Sequence, residues 1–288
     1  MDFSGRTAIV TGAGRGLGLS YARALARRGA QVVISDCGSD GSGSGADDSV
    51  AHDAVRALRA LRASGARALA DTADLGTEAG CQGLVQRTLE AFGSLDILIH
   101  NAGWVGYQAL EQTDAGFLER MLGINLYAPI WLARHAWPHL RQSAAPRLLL
   151  TTSDRALYPE YAQPGLLAYC AGKMAQVGIM NALGQEGAEH GIRVNAVSPV
   201  AKTRMWGVSE EPPELKPDWV TPGVLFLVSE QCQDSGYILR ASNGQFSAWR
   251  PQEAPGVDYP RDLKRIAAAT PEQFARRWGQ IKQPFIGA

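Results

Sequence analysis

The chain has 288 residues, 28 of them basic and 28 acidic, so its formal net charge is zero. That balance removes any electrostatic reason to expect a nucleic acid or an anionic membrane as partner, and no apolar run reaches the roughly 18 residues of a spanning helix. Four cysteines, Cys37, Cys81, Cys170 and Cys232, lie far apart with no C-x-x-C pair, which argues for a reduced, cytoplasmic setting over a disulfide framework or a zinc site.

The first ten residues, MDFSGRTAIV, lack the basic start and long apolar core of a signal peptide. Arg6 to Thr11 reads as a buried parallel strand. It runs into Gly12-Ala-Gly14-Arg-Gly16-Leu-Gly18 and then a helical stretch from Leu19 to Arg28. Strand, glycine turn and helix together present backbone N–H groups and a helix N-terminus to a pyrophosphate. The spacing is T-G-x-x-x-G-x-G, with Leu19 where the third glycine of G-x-G-x-x-G would fall. The second strand, Gln31 to Asp36, ends in an acid placed to accept hydrogen bonds from an adenosine ribose and to repel a 2′-phosphate. Asp36 therefore favours NAD over NADP. Arg15, in the glycine turn, is either a partner for that phosphate or a solvated loop charge.

Gly38 to Gly45 (GSDGSGSG) has the composition of a flexible linker; it is a mobile surface loop or a flap near the adenosine. A helix from Val50 to Ala63 and a short strand, Arg67 to Ala70, follow. Asp74 is placed to cap the next helix or to meet the adenine amino group. A helix from Cys81 to Phe92 leads into a fourth strand, Leu95 to His100, and then Asn101-Ala102-Gly103. The small residues let backbone approach a cofactor closely, and Asn101 is placed to tie strand ends together.

A long helical pattern runs through Phe117, Leu118, Met121, Leu122 and Ile124. Asn125 falls inside it, where asparagine is disfavoured, so an amide facing a cleft and holding a water is the functional reading. His135 and His139 are four apart, but Pro138 between them interrupts the helix and no third ligand is evident; no metal site is read here. Arg147 to Ser153 is a fifth strand with hydroxyls at its carboxyl end, the edge where ligands bind in an open parallel sheet. Ser153 either donates to a substrate oxygen or caps a helix.

Tyr169 and Lys173 lie one turn apart on one helix face. A phenol is a poor base at neutral pH because its reference pKa is about 10, and a nearby ammonium favours the phenolate. Such a pair is a proton donor and acceptor for an alcohol/ketone couple beside a nicotinamide. The helix runs to about His190, a sixth strand spans Ile192 to Val197, and Ser198-Pro199 follow. Tyr237 to Ala241 closes the sheet. In the tail, Thr270-Pro-Glu-Gln273 reads as cap, first-turn proline and capping box of a helix reaching about Lys282. Trp249, Phe274, Trp278 and Phe285 have no place in the main core; they pack on the domain's own surface, on a partner subunit, or beside the substrate pocket. Residues 205–217, rich in proline and acids, are the expected segment covering the substrate.

Thr11-Gly12-x-x-x-Gly16-x-Gly18, Asn101-Ala-Gly103, Asn125, Ser153 and Tyr169-x-x-x-Lys173 occur in the order found in the short-chain dehydrogenase/reductase family. The chain resembles that family from residue 5 to about 244. The resemblance implies a catalytic tetrad of Asn125, Ser153, Tyr169 and Lys173. It implies dinucleotide contacts from Gly12, Arg15, Gly16, Leu17, Gly18, Asp36, Asp74, Leu75, Asn101, Ala102, Gly103, Tyr169, Lys173, Pro199, Val200 and Thr203. It further implies an α/β Rossmann-type, doubly wound, seven-stranded parallel sheet of order 3-2-1-4-5-6-7 over residues 1–244, with a helical extension at 245–288, and a homodimer or homotetramer. The glycine-rich insert, Ser198 to Met205, Leu215 to Val220 and Thr270 to Gln273 are similar to the (3R)-hydroxyacyl-CoA dehydrogenase units of peroxisomal multifunctional enzymes. The implied substrate is then a 3-hydroxyacyl-CoA or related β-hydroxy thioester, with steroid or polycyclic alcohols as alternative. A non-catalytic NAD-binding sensor or scaffold is the alternative of another class. Three features depart from the family: His100 replaces the first asparagine of Asn-Asn-Ala-Gly, Val200 replaces the glycine after Pro199, and sixteen residues separate Ser153 from Tyr169, three more than usual.

Overall fold

Strand β1, Thr7–Thr11, is buried at every position, as its unbroken apolar run requires of a strand covered on both faces. It pairs in parallel with β2, Gln31–Ser35, on one side and with β4, Ile97–Ile99, on the other. Beyond β2 lies β3, Ala68–Asp71. Beyond β4 come β5, Arg147–Thr151, β6, Arg193–Val200, and β7, Ile238–Ser242, all parallel. The computed structural model describes residues 1–41, 43–60, 67–203, 212–264 and 266–282.

The predicted order holds for these seven strands, and an eighth, β8, Gln245–Trp249, extends the β7 edge. Asn243 and Gly244 connect the two with φ of 52° and 76°. Both central residues at positive φ is the type I′ geometry that Asn-Gly favours, and a two-residue connection makes the pair antiparallel. The Asn-Gly signal was in the sequence, so the seven-stranded expectation is corrected to eight.

Helix α1, Gly16–Ala26, packs against α2, Ser49–Ala60, and α8, Thr221–Val228. Tyr21 and Leu25, Val55 and Leu58, and Val224 and Leu225 meet Val10, Ile34 and Ile99 in one apolar cluster. The alternate strand residues Ile9, Val33 and Leu98 are equally buried, as the pleat demands when both faces are covered. Helices α3, Glu78–Phe92, and α5, Ala128–Leu140, pack together, as do α4, Ala115–Leu122, and α7, Leu167–Glu186. The predicted continuation of α2 to residue 63 lies outside the described residues.

Two expectations about the middle helices change. One π turn, Gly123–Tyr127, separates α4 from α5 and contains Asn125; such a widened turn re-aims a side chain and is frequent at functional sites. Pro138 lies inside α5 without interrupting it. It occupies the last turn, where only one ladder bond is lost.

Residues 1–248 and 249–288 form two units. In the second, α9, Pro271–Ile281, is capped by Thr270, whose side chain accepts from the Gln273 amide. The Gln273 side chain accepts from Ala269 N at 3.0 Å rather than from Thr270 itself, one residue earlier than in a capping box. Phe274 and Trp278 are about half exposed with ring centroids 5.7 Å apart; Phe285 lies outside the described residues.

Candidate active site

Strand order reverses between β1 and β4, so the crevice at their carboxyl ends is where this architecture binds ligands. Side chains sew those ends together. Thr11 Oγ1 accepts from Asn101 N at 3.0 Å and Ala102 N at 2.9 Å, while Asn101 Nδ2 donates to Thr11 O at 3.0 Å and Gly12 O at 3.2 Å. Thr151 Oγ1 donates to His100 O at 2.8 Å, joining β5 to the row. His100 Nε2 lies 3.1 Å from Ile124 O and Nδ1 lies 3.3 Å from Thr11 Oγ1. A carbonyl only accepts, so Nε2 carries the proton and Nδ1 takes one from Thr11. Burial, and then the charge of Lys173, lower the His100 pKa to about 3. The family asparagine is thus replaced by a neutral imidazole joining β1 to the π turn.

A cleft of about 810 Å³ opens above these strand ends. Every predicted site residue lines it except Gly18 and Asn125. Gly18 is a packing residue: a Cβ there would lie 2.3 Å from Gly12 O and 2.7 Å from Asn101 Nδ2. Gly12, with φ of 60°, would place a Cβ 2.9 Å from Ala102 Cα, so the β1 and β4 turns meet only because this residue has no side chain. Asp36 Oδ2 accepts from Gly14 N at 2.9 Å and Oδ1 from Gly38 N at 2.8 Å. Arg15 donates to Ser39 O at 3.0 Å. Asp74 is exposed and accepts from Gly76 N at 2.8 Å in a local turn, whereas the cap of α3 is Thr77, whose side chain accepts from Gly80 N at 3.1 Å; Asp74 still borders the cleft beside buried Leu75.

The glycine-rich insert also lines the cleft through Ser39, Asp40, Gly41 and Gly43. Gly43 rests on Trp104, where a Cβ would lie 2.6 Å from the ring. Arg120 sits 4.9 Å over that ring and donates to Ser44 Oγ at 3.2 Å. The insert is therefore seated against the cleft wall, which answers to the flap reading. The covering segment expected at 205–217 falls largely on residues 204–211, outside the described residues.

Tyr169 and Lys173 are both buried on α7. Lys173 Nζ donates to Thr151 O at 3.0 Å and lies 5.8 Å from the Tyr169 ring centroid. Burial raises the Tyr169 pKa, opposed by a hydrogen bond with Ser153 and by the Arg155 charge. Burial lowers that of Lys173 to about 7. The expectation that Lys173 makes the phenol acidic is corrected here: burial is the largest influence on both residues and pushes both toward neutrality. Ser153 caps the short helix α6, Asp154–Leu157, accepting from Arg155 N at 3.3 Å, and still faces the cleft. The two sequence alternatives for Ser153 are thus compatible.

Asn125 is fully buried, one layer behind the cleft wall. Its Nδ2 donates to Trp104 O and Met121 O, each at 3.0 Å, and its Oδ1 has no partner among the described residues. A Cβ on Gly103 would lie 2.9 Å from that oxygen and 3.0 Å from Lys173 Nζ. The bare glycine leaves a polar niche between them, which suits a water relay and a closely approaching ribose; the residues present fit a dinucleotide. Gln176 escaped the sequence reading. It is fully buried, donates to Asn125 O at 3.0 Å and accepts from Thr151 N at 3.0 Å. Its place at i+7 from Tyr169 and i+3 from Lys173, on the same helix face, was the available signal.

A sequence model of the family described as short chain dehydrogenase matches residues 6–213. The chain is 33% identical over 288 residues to peroxisomal multifunctional enzyme A of Dictyostelium discoideum, covering 98% of this chain but 61% of that protein. It is 32% identical over 284 residues to the short-chain type dehydrogenase/reductase Rv0148 of Mycobacterium tuberculosis, covering 96% of this chain and 93% of that one. The solved short chain dehydrogenase from Mycobacterium avium superposes with a TM-score of 0.81 at 28% identity, covering 98% of this chain and 96% of that chain. Similar solved chains include a Burkholderia cenocepacia short chain dehydrogenase in complex with NADP, 28% identical with TM-score 0.73 and covering 85% and 99% of the two chains. Another is a Brucella melitensis 3-ketoacyl-(acyl-carrier-protein) reductase complexed with NADH, 29% identical with TM-score 0.72 and covering 83% and 97%. The chain belongs to the short-chain dehydrogenase/reductase family and is an oxidoreductase acting on CH–OH groups.

Proposed function

We propose that the chain interconverts a secondary alcohol and its ketone with NAD, and that the alcohol is a 3-hydroxyacyl thioester. One observation carries the reading: Tyr169, Ser153 and Lys173 line the same cleft as the Gly12–Leu17 turn and Asp36. Gly12, Gly16, Leu17, Asn101, Ala102, Pro199, Val200 and Thr203 would hold the dinucleotide, with Asp36 on the adenosine ribose and Lys173 on the nicotinamide ribose. When bound, the coenzyme supplies the hydride acceptor or donor.

For oxidation, Ser153 orients the substrate oxygen and Tyr169 Oη takes its proton. An oxidised nicotinamide, when bound, would favour the Tyr169 phenolate through its positive charge, against the burial that raises the Tyr169 pKa. Lys173 Nζ, with a pKa near 7, is poised to pass a proton at neutral pH through the niche below Gly103. Asn125 Oδ1 completes that niche as an acceptor.

Asp36 supports the choice of NAD, because a carboxylate at the end of β2 repels a 2′-phosphate. The thioester reading rests on the multifunctional enzymes among the relatives; this chain spans 61% of the Dictyostelium protein, so the whole enzyme's activity is part of the proposal. Replacing Tyr169 with Phe should lower kcat/KM by 10² to 10⁴-fold, about 3–5 kcal/mol of transition-state stabilisation, with NAD affinity by titration nearly unchanged. Normal turnover of Tyr169→Phe on every wild-type substrate would remove Tyr169 as the acid–base group. Tight NAD binding without turnover of any acyl-CoA, steroid or simple secondary alcohol would favour the sensor.

A further inference from the structure

Asp154 and Arg155 open the lengthened segment between Ser153 and Tyr169, and their side chains have different surroundings. Both Asp154 oxygens are taken by Arg240 on β7, from Nε at 3.1 and 3.2 Å and from Nη2 at 2.8 Å. Asp154 Oδ1 also accepts from Ser198 Oγ at 2.7 Å. The Arg240 guanidinium lies 4.5 Å over the Tyr158 ring. The acid next to Arg155 in sequence is thereby committed elsewhere.

Arg155 is half-buried and lines the cleft with Ser153, Tyr169 and Lys173. Its backbone is fixed beside the catalytic hydroxyl: its N–H donates to Ser153 Oγ at 3.3 Å and its carbonyl accepts from Cys170 Sγ at 3.2 Å. Among the described residues its guanidinium has no hydrogen bond, ion pair or ring contact. The other cleft arginines are engaged, Arg15 by the Ser39 carbonyl and Arg120 by Ser44 and the Trp104 ring.

A guanidinium remains charged at every working pH, and its planar fork matches a carboxylate or phosphate bidentately. A guanidinium that borders a cleft with no partner among the described residues has its donors free for such a group. An oxyanion arriving with the substrate would supply the missing partner. We propose that Arg155 recognises an oxyanion, carboxylate or phosphate, carried on the same molecule as the reacting carbinol, making the chain selective for anionic alcohols. The Arg155 charge also favours the Tyr169 phenolate, so it acts on both the ligand and the base. The inference deepens the proposed function and rests on it, since it requires a carbinol seated at Ser153 and Tyr169.

Two substrate pairs separate the sources of the anion. A β-hydroxy acid against its methyl ester reports a carboxylate; a 3-hydroxyacyl-CoA against the matching N-acetylcysteamine thioester reports the coenzyme A phosphates. With saturating NAD, the wild type should prefer the anionic member of at least one pair. Arg155→Gln should raise KM for that member by about 10- to 100-fold, the range of a charge-assisted bidentate contact, and leave KM for the neutral member unchanged, while any fall in kcat from the charge lost beside Tyr169 is shared by both members. Arg155→Lys should keep part of the preference, because the charge remains and the fork is lost. Continued turnover of the neutral member shows that the variant is folded. A preference that survives Arg155→Gln, or an equal rise in KM for both members of a pair, would overturn the proposal. Wild-type turnover that ignores charge in both pairs overturns this inference alone, while failure to oxidise any of the four compounds overturns it together with the proposed function.

Discussion

Lys173 is 3% exposed, its ammonium on the Thr151 carbonyl, and burial lowers its pKa to about 7 from the ordinary 10.5. An unfolded chain holds that proton until pH nears 10.5, whereas the folded chain releases it from about 7. Between those values the unfolded state binds more protons, so this group makes folding stability rise with pH across the window. Lys173→Met keeps the length and apolar packing without the titration. Its melting temperature, followed without coenzyme from about pH 6.5 to 9.5, should therefore climb less with pH than that of the wild type. Equal slopes would mean that Lys173 does not titrate there. The neighbouring His100, with its pKa lowered to about 3, remains neutral throughout that range, so it does not confuse the comparison.

The lengthened segment after β5 is held at several points along its length. Asp154 pairs with Arg240, Tyr107 Oη donates to Gln163 Oε1 at 3.1 Å, and Gln108 N donates to Gly165 O at 3.0 Å. These contacts make a substrate-bordering loop into a defined wall, with α6 and a 3₁₀ turn, Pro159–Tyr161, along its course. The Asp154–Arg240 pair is part-buried, the side chains being 14% and 33% exposed. Asp154→Asn should cost roughly 1–3 kcal/mol, the range of charge-assisted hydrogen bonds, and raise KM more than it lowers kcat. An unchanged melting temperature would rank the pair with the surface ion pairs that contribute nothing measurable. The π turn works at the same scale. It places the Asn125 side chain between α4 and the Gly103 backbone, where a regular helix would aim it elsewhere.

For the whole molecule, coenzyme choice is the property that Asp36 should control. A ligand at 100 times its Kd stabilises the folded state by about 2.7 kcal/mol, equivalent to several degrees in melting temperature for a chain of this size. NAD should produce that shift and NADP at equal concentration a smaller one. Asp36→Ala should narrow the gap by removing the charge that opposes the 2′-phosphate. If NADP stabilises the wild type as much as NAD, the carboxylate does not select the coenzyme. Among the described residues, no helix is long and apolar enough to cross a membrane.

Strand alternation, the glycine turn, the acid after the second strand and the Tyr169/Lys173 face were legible in the chain because each is a local pattern of period, turn chemistry or spacing. They were sufficient for the parallel order of seven strands and for sixteen of the eighteen distinct candidate residues that border the cleft. The eighth strand was legible too, in Asn243-Gly244, since a type I′ turn is written in two residues. What only the tertiary structure decided is which charges are spent and which are left. Arg240 reaches Asp154 across 86 residues, leaving Arg155 without it. Burial, not the neighbouring ammonium, governs the Tyr169 phenol, and Asn125 stands behind Gly103 with its side-chain oxygen unpaired among the described residues. Pairing and desolvation depend on groups brought together from distant parts of the chain, and no linear spacing encodes how much water is left around them.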